Sequence, residues 1–208
     1  MNNLFIDAPL FPKIYIERLH LLMKRFVDLT LTFVTMLLLA LPIIMVSVLV
    51  KLTSKGPILY WSDRVGKDNI IFKMPKFRSM KINTPAVATH LLSDPKSVLT
   101  PVGDFLRKSS LDELPQLWSI FKGHMSFVGP RPALFNQDDL IDLRTSNGVH
   151  KLVPGLTGWA QINGRDELPI PKKVALDVVY LHHQSLWIDF KIMWLTLIKV
   201  IKKDGVSH

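Results

Sequence analysis

The sequence predicts an α+β protein that is mainly helical, includes a small β-hairpin and holds its N-terminal part in a membrane. Residues 26–50 form an apolar run of 25 residues. At about 1.5 Å per residue this run is long enough to cover a hydrocarbon core of about 30 Å. Short apolar and aromatic segments on either side of a polar turn, between residues 58 and 72, favour a β-hairpin. Large apolar side chains recur at helical spacing over residues 185–203, which predicts an amphipathic C-terminal helix.

The composition restricts the partners that this chain can have. Its 208 residues suffice for one domain and an anchor, and 48% of them are hydrophobic, which favours contact with a membrane. A net charge of +9 suits nucleic acid, anionic lipid or a phosphate-bearing substrate. The sequence contains no aromatic–basic motif or recognition helix, so we expect no binding of nucleic acid. The lack of cysteine in these residues excludes disulfides and thiolate metal sites.

The segment before the apolar run, residues 1–23, is a short lead with two open interpretations. Pro9 and Pro12 interrupt its start, and the apolar residues that follow are mixed with charged ones. It forms either an amphipathic helix in the membrane interface or an arm in solvent.

The apolar run lies within a predicted membrane segment, residues 24–52, and has two features that argue against a simple span. Pro42 interrupts the run and removes one backbone donor inside hydrocarbon. Positive residues flank both ends, and the positive-inside rule then places both ends in the cytoplasm: Lys24, Arg25, Lys51 and Lys55. A helix hairpin that enters and returns near Pro42 satisfies both features, and a proline-kinked spanning helix is the alternative.

Residues 53–208 are expected to form one domain outside the membrane. The predicted hairpin joins strands at residues 58–61 and 70–72 through a polar turn at residues 64–69. Helices are predicted after Pro101, over residues 134–146, from about Pro171 to residue 180, and over residues 185–203. The last helix combines aromatic residues with lysines, so it lies either in the core or in the membrane interface.

Two adjacent acids, Asp112 and Glu113, follow a pair of serines near the middle of the chain. Ser110 and Glu113 have the spacing of a capping box, which would place Ser110 at the N-cap of a helix. Pro115 favours instead a helix that begins one or two residues later, with Asp112 near its cap. In both cases the acids lie at a helix N-terminus, where they stabilise the helix dipole or take part in metal-assisted chemistry on a phosphate.

Arg131 lies between two prolines, Pro130 and Pro132, which stiffen the backbone that presents its side chain. A guanidinium held in this way can bind a phosphate bidentately, which a lysine cannot do. The alternative is a rigid surface turn with a solvated arginine.

Other charged residues are candidates for binding an anion. Residues 73–78 include three cations, among them Lys76 and Arg78, which bind a phosphate or face anionic lipid. The segment 153–167 is rich in glycine, which lets the backbone approach an anion, and Arg165 within it is a candidate ligand of a diphosphate. Asp177 is an acid inside an otherwise apolar part of a predicted helix.

Four stretches of the chain resemble sequence blocks of the bacterial sugar transferase family, the monotopic polyprenyl-phosphate phosphoglycosyl transferases. They are KFRSM at residues 76–80, LDELPQL at 111–117, MSFVGPRP at 125–132 and PGLTGWAQINGR at 154–165. The resemblance extends from about residue 24 to residue 207. Because the blocks are long and occur in the family's order, chance similarity does not account for them.

The resemblance implies an enzyme that transfers a sugar-1-phosphate from a UDP-sugar to undecaprenyl phosphate and releases UMP, the first membrane step of a surface glycan pathway. It implies that Asp112 forms a covalent phosphosugar–aspartate, and that Asp112 and Glu113 hold Mg²⁺. The substrate would be bound by the remaining candidates: Lys76, Arg78, Arg131, Arg165 and Asp177. The alternative function is a non-catalytic scaffold, anchored in the membrane, that recruits glycan-assembly partners.

The resemblance also implies a location on the cytoplasmic face of a bacterial inner membrane, with a re-entrant helix hairpin in contact with lipid, and it allows a homodimer. The chain departs from the family at the break of this hairpin, where the usual Ser-Pro is Leu41-Pro42. A serine hydroxyl can bond a carbonyl that the break sets free, and Leu41 cannot.

Overall fold

The N-terminal part of the chain forms a pair of consecutive helices in the computed structural model, which describes residues 11–85, 87, 94, 96–164 and 168–202. α1 extends over Phe11–Leu38 and α2 over Ala40–Thr53, with a bend of 63° between them. The described part of the predicted lead therefore continues directly into the apolar helix. Among the described helices, no single one is long and apolar enough to cross a membrane, whereas α1 and α2 together pass that test as a bent pair.

The bend between α1 and α2 lies at Leu39, close to the position expected from Pro42. Pro42 is the third residue of α2, where a missing N–H leaves no hydrogen bond unmade inside the helix. Its ring would collide with the carbonyl of the residue four positions earlier, Leu38, in an uninterrupted helix. α1 therefore ends at Leu38, with the Leu39 N–H making the last hydrogen bond of its ladder, and the chain changes direction before the proline rather than at it.

The antiparallel β-hairpin predicted from the sequence is confirmed. β1 (Leu59–Val65) pairs with β2 (Ile71–Phe77), and a 3₁₀ turn at Lys67–Asn69 connects them. Both strands are longer than expected, so that Lys76 lies inside β2, opposite Tyr60. Pro75 does not end β2, because β2 is an edge strand, the position at which a sheet tolerates proline.

The helices that follow the hairpin largely agree with the sequence. They are α3 (Gly103–Lys108), α4 (Leu117–Lys122), α5 (Asp138–Ser146), α6 (Trp159–Ile162), α7 (Ile170–His182) and α8 (Leu186–Lys202). α5 begins four residues later than predicted, because the preceding residues pair with the hairpin: the Val65 N–H donates to the Ala133 carbonyl.

A pair of three-residue parallel strands was not anticipated from the sequence. β3 (Ser126–Val128) pairs with β4 (Gly155–Thr157), and this pairing places Gly129 directly against Gly155. A Cβ atom added at Gly155 would lie 2.0 Å from the Gly129 nitrogen, so the close approach of the two backbones requires glycine there. The pairing brings the glycine-rich segment beside the Pro-Arg-Pro segment.

Polar side chains near the start of the apolar run attach α1 to the rest of the protein. Lys24 forms an ion pair with Asp189 of α8, and the Arg25 guanidinium donates to the carbonyls of Ile120 and Phe121 at 2.6 and 2.8 Å. One turn later Asp28, the single acid of the run, is only 5% exposed. Its carboxylate accepts hydrogen bonds from β3, as described below.

The C-terminal half of α2 packs on the same domain. Val46 and Val50 are buried against Phe77 of β2 and Leu106 of α3. Leu111 and Leu114, the half-buried residues on either side of the adjacent acids, pack against this cluster. The apolar cluster thus connects the end of the membrane-type segment with the acidic pair.

We predict that Asp28→Ala destabilises the protein by roughly 1–3 kcal/mol, because it leaves a buried hydroxyl and a partly buried backbone N–H without their acceptor. Asp28 Oδ1 accepts from the Phe127 N–H at 3.0 Å and from Ser126 Oγ at 3.1 Å. Thermal unfolding in detergent or nanodiscs measures the effect, and Asp142→Ala on the exposed side of α5 is the control. Equal unfolding temperatures for the two variants would contradict the prediction.

Candidate active site

The adjacent acids Asp112 and Glu113 lie in a 3₁₀ helix, Leu111–Gln116, directly before α4. The residue before this helix, Ser110, has a left-handed backbone with φ of 56°, and its hydroxyl makes no capping bond within the described part of the chain. The capping box is therefore absent from the described structure. The 3₁₀ form has three residues per turn, so the side chains of consecutive acids point about 120° apart and meet different surroundings.

Glu113 is the point at which distant segments of the chain meet. Its Oε1 accepts a hydrogen bond from Lys76 Nζ of β2 at 2.7 Å and another from Arg131 Nη2 at 2.7 Å. Both contacts are ion pairs, and the side chains of Lys76 and Glu113 are mostly removed from solvent. The structure thus brings together Lys76, Glu113 and Arg131, which are widely separated in sequence.

The neighbouring acid, Asp112, is in a different state. It is 8% exposed, and its carboxylate accepts no hydrogen bond and forms no ion pair with any residue that the structure describes. Burial raises the pKa of Asp112 to about 6, although the charge of Lys76 acts in the opposite direction. The result is a carboxylate that is influenced by three cations, Lys76, Arg107 and Arg131, and forms an ion pair with none of them.

Glu113 shows the opposite electrostatic balance. Burial alone would raise its pKa, but the charges of Arg131 and Lys76, and the hydrogen bonds from both, hold the pKa of this carboxyl well below its usual range. Glu113 is therefore ionised at neutral pH and holds both cations in place. Glu113 thus pairs with both cations, whereas Asp112 pairs with none of the residues that the structure describes.

Hydrogen bonds from different elements hold every carbonyl of the Pro-Arg-Pro segment. The Gly155 N–H of β4 donates to the Pro130 carbonyl at 2.9 Å. Arg144 Nη1 of α5 donates to the Arg131 carbonyl at 2.7 Å, and Arg64 Nη1 of β1 donates to the Pro132 carbonyl at 3.2 Å. The rigidity that the prolines predict is thus reinforced by tertiary contacts that the sequence did not reveal.

Asp177, a substrate-binding candidate from the sequence, contacts Arg144, which in turn donates to the Arg131 carbonyl. It is 1% exposed, and its Oδ2 accepts from Arg144 Nε at 3.0 Å and from Nη2 at 2.7 Å. Burial raises the pKa of Asp177 even beside this guanidinium, which indicates how strongly the site is desolvated. Direct contact of Asp177 with a substrate stays a prediction.

The remaining candidates differ in position. Arg78 is 5% exposed and donates to the carbonyls of Lys55 and Ser54 at 2.6 and 2.9 Å, so it ties β2 to the end of α2. Its contact with a substrate likewise stays a prediction, and Arg165 lies outside the described residues. Sequence reasoning missed Arg144, because a charged residue in a mixed helix has no local signal that separates a buried arginine from a solvated one.

A magnesium ion at the acidic pair, as expected from the sequence, stays a prediction. Among the described residues, no group of three or more histidine, cysteine or acidic side chains could enclose a metal ion. Mg²⁺ in phosphate-transfer sites commonly uses one or two carboxylates and completes its coordination with water and substrate phosphates. The Asp112 carboxylate and Glu113 Oε2, which accepts no hydrogen bond from a described residue, are the oxygens suited to this role.

Comparison with known proteins identifies the family of this chain. The family model described as bacterial sugar transferase matches residues 19–203. The chain is 41% identical, over 86% of its length, to the UDP-glucose:undecaprenyl-phosphate glucose-1-phosphate transferase of Escherichia coli K12. It is 36% identical over 90% of its length to the uncharacterized sugar transferase EpsL of Bacillus subtilis, and 36% identical over 72% to the undecaprenyl-phosphate galactose phosphotransferase of Salmonella typhimurium.

The share of each relative that is covered differs widely. The chain spans 40% of the E. coli protein and 34% of the Salmonella protein, but 92% of the B. subtilis protein. The family match nevertheless includes every element from the second half of α1 to α8, and with them both acids and the Pro-Arg-Pro segment. This chain belongs to the bacterial sugar transferase family.

Proposed function

We propose that this protein transfers a sugar-1-phosphate from a UDP-sugar to undecaprenyl phosphate, forming undecaprenyl-diphosphate-sugar and UMP as the first membrane step of a surface glycan pathway. The observation that carries the proposal is the buried Asp112 carboxylate, which has no hydrogen-bond or ion-pair partner among the described residues and lies beside two cations that Glu113 holds in place. The E. coli and Salmonella relatives are named for transfers of this kind, which supports the same substrate classes here.

The proposed reaction has two displacements at one phosphorus atom. An Asp112 oxygen attacks the phosphorus that bears the sugar, the bond from this phosphorus to the bridging oxygen breaks, and UMP leaves with the electron pair. An oxygen of the lipid phosphate then attacks the same phosphorus, and its bond to Asp112 breaks. The carboxylate is regenerated, so a soluble and a membrane-bound substrate use one site in turn.

The cations around Asp112 address the main electrostatic obstacle to this reaction. A carboxylate and a diphosphate are both anionic and repel each other unless positive charge lies between them. Arg131 and Lys76 supply that charge, and their ion pairs with Glu113 hold both side chains in the site. Bound Mg²⁺, held by Asp112 and Glu113, would neutralise further charge on the substrate phosphates.

We also propose that α1 and α2 enter the membrane from the cytoplasmic side and return to that side without crossing. Residues 24–52 would then be the membrane segment, and residues 53–208 would form a cytoplasmic catalytic domain at the inner membrane. The start of the segment is attached to the domain through Lys24 and Arg25, and its end through Val46 and Val50. Two ends that bind one domain lie on one side of a bilayer.

The surface around the bend is suited to contact with lipid tails. Large apolar side chains there are highly exposed, with solvent-accessible fractions between 60% and 72%: Phe33, Leu37, Leu38, Leu41 and Ile44. Exposure of so many adjacent apolar residues is unfavourable in water and favourable in a bilayer. α8 presents Trp187 and Trp194 in the same way, as expected for a helix in the membrane interface.

The mechanism predicts that Asp112→Asn abolishes turnover, because an amide cannot act as the attacking carboxylate. Release of UMP is measured with undecaprenyl phosphate, Mg²⁺ and a panel of UDP-sugars that includes UDP-glucose and UDP-galactose. When lipid is withheld, mass spectrometry should find one sugar phosphate on the peptide that contains Asp112 in the wild type and not in the variant. Asp142→Asn on the surface of α5 should behave as the wild type.

Kinetics provide an independent check of the covalent step. Two displacements predict ping-pong behaviour, whereas direct attack by the lipid phosphate requires both substrates to be bound together. Near-normal turnover by Asp112→Asn, or a sequential mechanism, would refute the aspartate nucleophile.

We predict that Arg131→Lys lowers kcat/KM by about 10- to 100-fold while the protein remains folded, because lysine keeps the charge and loses the planar fork. Steady-state rates of UMP release measure the loss, and thermal unfolding shows whether the fold is retained. Wild-type rates in Arg131→Lys would show that charge alone suffices at this position.

The membrane proposal predicts that both ends of the α1–α2 pair are accessible from the cytoplasm alone. The sequence contains no cysteine, so single cysteines can be introduced at exposed positions on each side of the apolar run, as Arg18→Cys and Lys55→Cys. A membrane-impermeant maleimide should label both in inverted vesicles and neither in intact spheroplasts. Labelling of the two cysteines from opposite sides would establish a spanning helix instead.

A further inference from the structure

We propose that Arg144 is a positioning residue for the transfer reaction: it holds the Arg131 carbonyl and thereby sets the direction in which the Arg131 guanidinium faces Glu113 and the substrate phosphate. The inference rests on the proposed function, because it concerns the same site. It adds a residue that lies outside the four sequence blocks that resemble the family.

The chemistry of the Pro-Arg-Pro segment explains why such a residue is needed. The proline rings fix φ at positions 130 and 132, and Pro132 restricts the ψ angle of Arg131 to extended values, but a range of about 40° remains within them. The prolines also have no N–H, so they cannot hold that angle by donating hydrogen bonds of their own. A donor brought to the Arg131 carbonyl fixes the orientation of this peptide plane. Arg144 Nη1 is such a donor, at 2.7 Å.

The guanidinium of Arg144 makes these contacts in a geometry that few side chains can reproduce. Its Nε and Nη2 donate to Asp177 Oδ2 at 3.0 and 2.7 Å while Nη1 donates to the Arg131 carbonyl. A planar guanidinium offers these donors in fixed directions, whereas a lysine ammonium is a single point of charge. Asp177 therefore orients the Arg144 guanidinium, which donates to the Arg131 carbonyl.

The packing of α5 against α7 holds the Arg144 side chain in place. Arg144 is 8% exposed and Asp177 is 1% exposed, so neither side chain can move into solvent without breaking the packing. Buried charges of opposite sign and with good hydrogen-bond geometry have little freedom to rearrange. The hydrogen bond from Arg144 therefore anchors the Arg131 carbonyl to two packed helices rather than to a loop.

The competing interpretation is that the pair only joins α5 to α7. A buried ion pair with that single role can be replaced by apolar residues of similar size with little loss of stability, and often with a gain. Such a replacement would remove the donor to the Arg131 carbonyl and leave the helix packing intact. The two interpretations therefore predict different activities for the apolar variant and the same stability.

The first test is the double variant Arg144→Met/Asp177→Leu, which leaves the net charge unchanged. We expect an unfolding temperature close to that of the wild type and a kcat/KM for UMP release at least about tenfold lower, the loss of one charge-assisted hydrogen bond. The assay uses the UDP-sugar that the wild type turns over fastest. Wild-type activity in a folded double variant would overturn the inference.

The second test uses Arg144→Lys, which keeps a cation beside Asp177 and removes the fork. It is measured alone and in the Arg131→Ala background, with Lys172→Met on the exposed face of α7 as a control for the loss of a cation. If Arg144 acts through Arg131, Arg144→Lys lowers kcat/KM for UMP release by about tenfold or more in the wild-type background. In the Arg131→Ala background the same substitution lowers it by less than about twofold. Equal losses in both backgrounds would show that Arg144 does not act through Arg131.

Failure of the inference and failure of the proposed function give different results. If the wild type releases no UMP from any UDP-sugar, the proposed function fails. The affinity for UDP, measured by calorimetry, then replaces kcat/KM in the comparison of Arg144→Lys alone with Arg144→Lys in the Arg131→Ala background. If the wild type is active and the variants lose equal activity in both backgrounds, the proposed function stands and the inference is wrong.

Discussion

The ion pairs at Glu113 Oε1 are the interaction on which the rest of the site depends. A single carboxylate oxygen holds Lys76 from the hairpin and Arg131 from the Pro-Arg-Pro segment, each at 2.7 Å. Without this anion the two cations would repel each other in a poorly solvated site, and both would turn towards solvent. The hairpin, the 3₁₀ helix and the loop after β3 are thus held in register by charge as well as by apolar packing.

The 3₁₀ helix separates the roles of the two acids. Because consecutive side chains point about 120° apart, Glu113 faces the cations directly while Asp112 lies beside them without contact. The same burial that raises the pKa of Asp112 is overcome at Glu113 by two close positive charges. A pair of acids that looks symmetric in sequence therefore becomes one group that holds two cations and one group that the proposed mechanism uses as the nucleophile.

The membrane-type segment and the site share one apolar cluster. Leu111 and Leu114, which flank the acids, pack with Val46 and Val50 of α2, and Phe77 of β2 completes the contact. In the proposed function, this cluster connects the segment in contact with lipid to the acids at which a lipid phosphate would react. The geometry suits a reaction that joins a water-soluble donor to a membrane-bound acceptor.

The sequence alone determined the features with strong local signals: the bend beside Pro42, the hairpin and helices α7 and α8. It also named the acids and Arg131 as candidates for the site. Only the tertiary structure decided the 3₁₀ form of residues 111–116, the parallel β3–β4 pair and the buried Arg144–Asp177 contact. Arg144 and Asp177 are 33 positions apart, and Lys76 and Glu113 are 37 apart. Local periodicity and turn chemistry carry no information on which distant charges meet, because that depends on how the helices and strands pack. The site exists only where those separate segments are brought together.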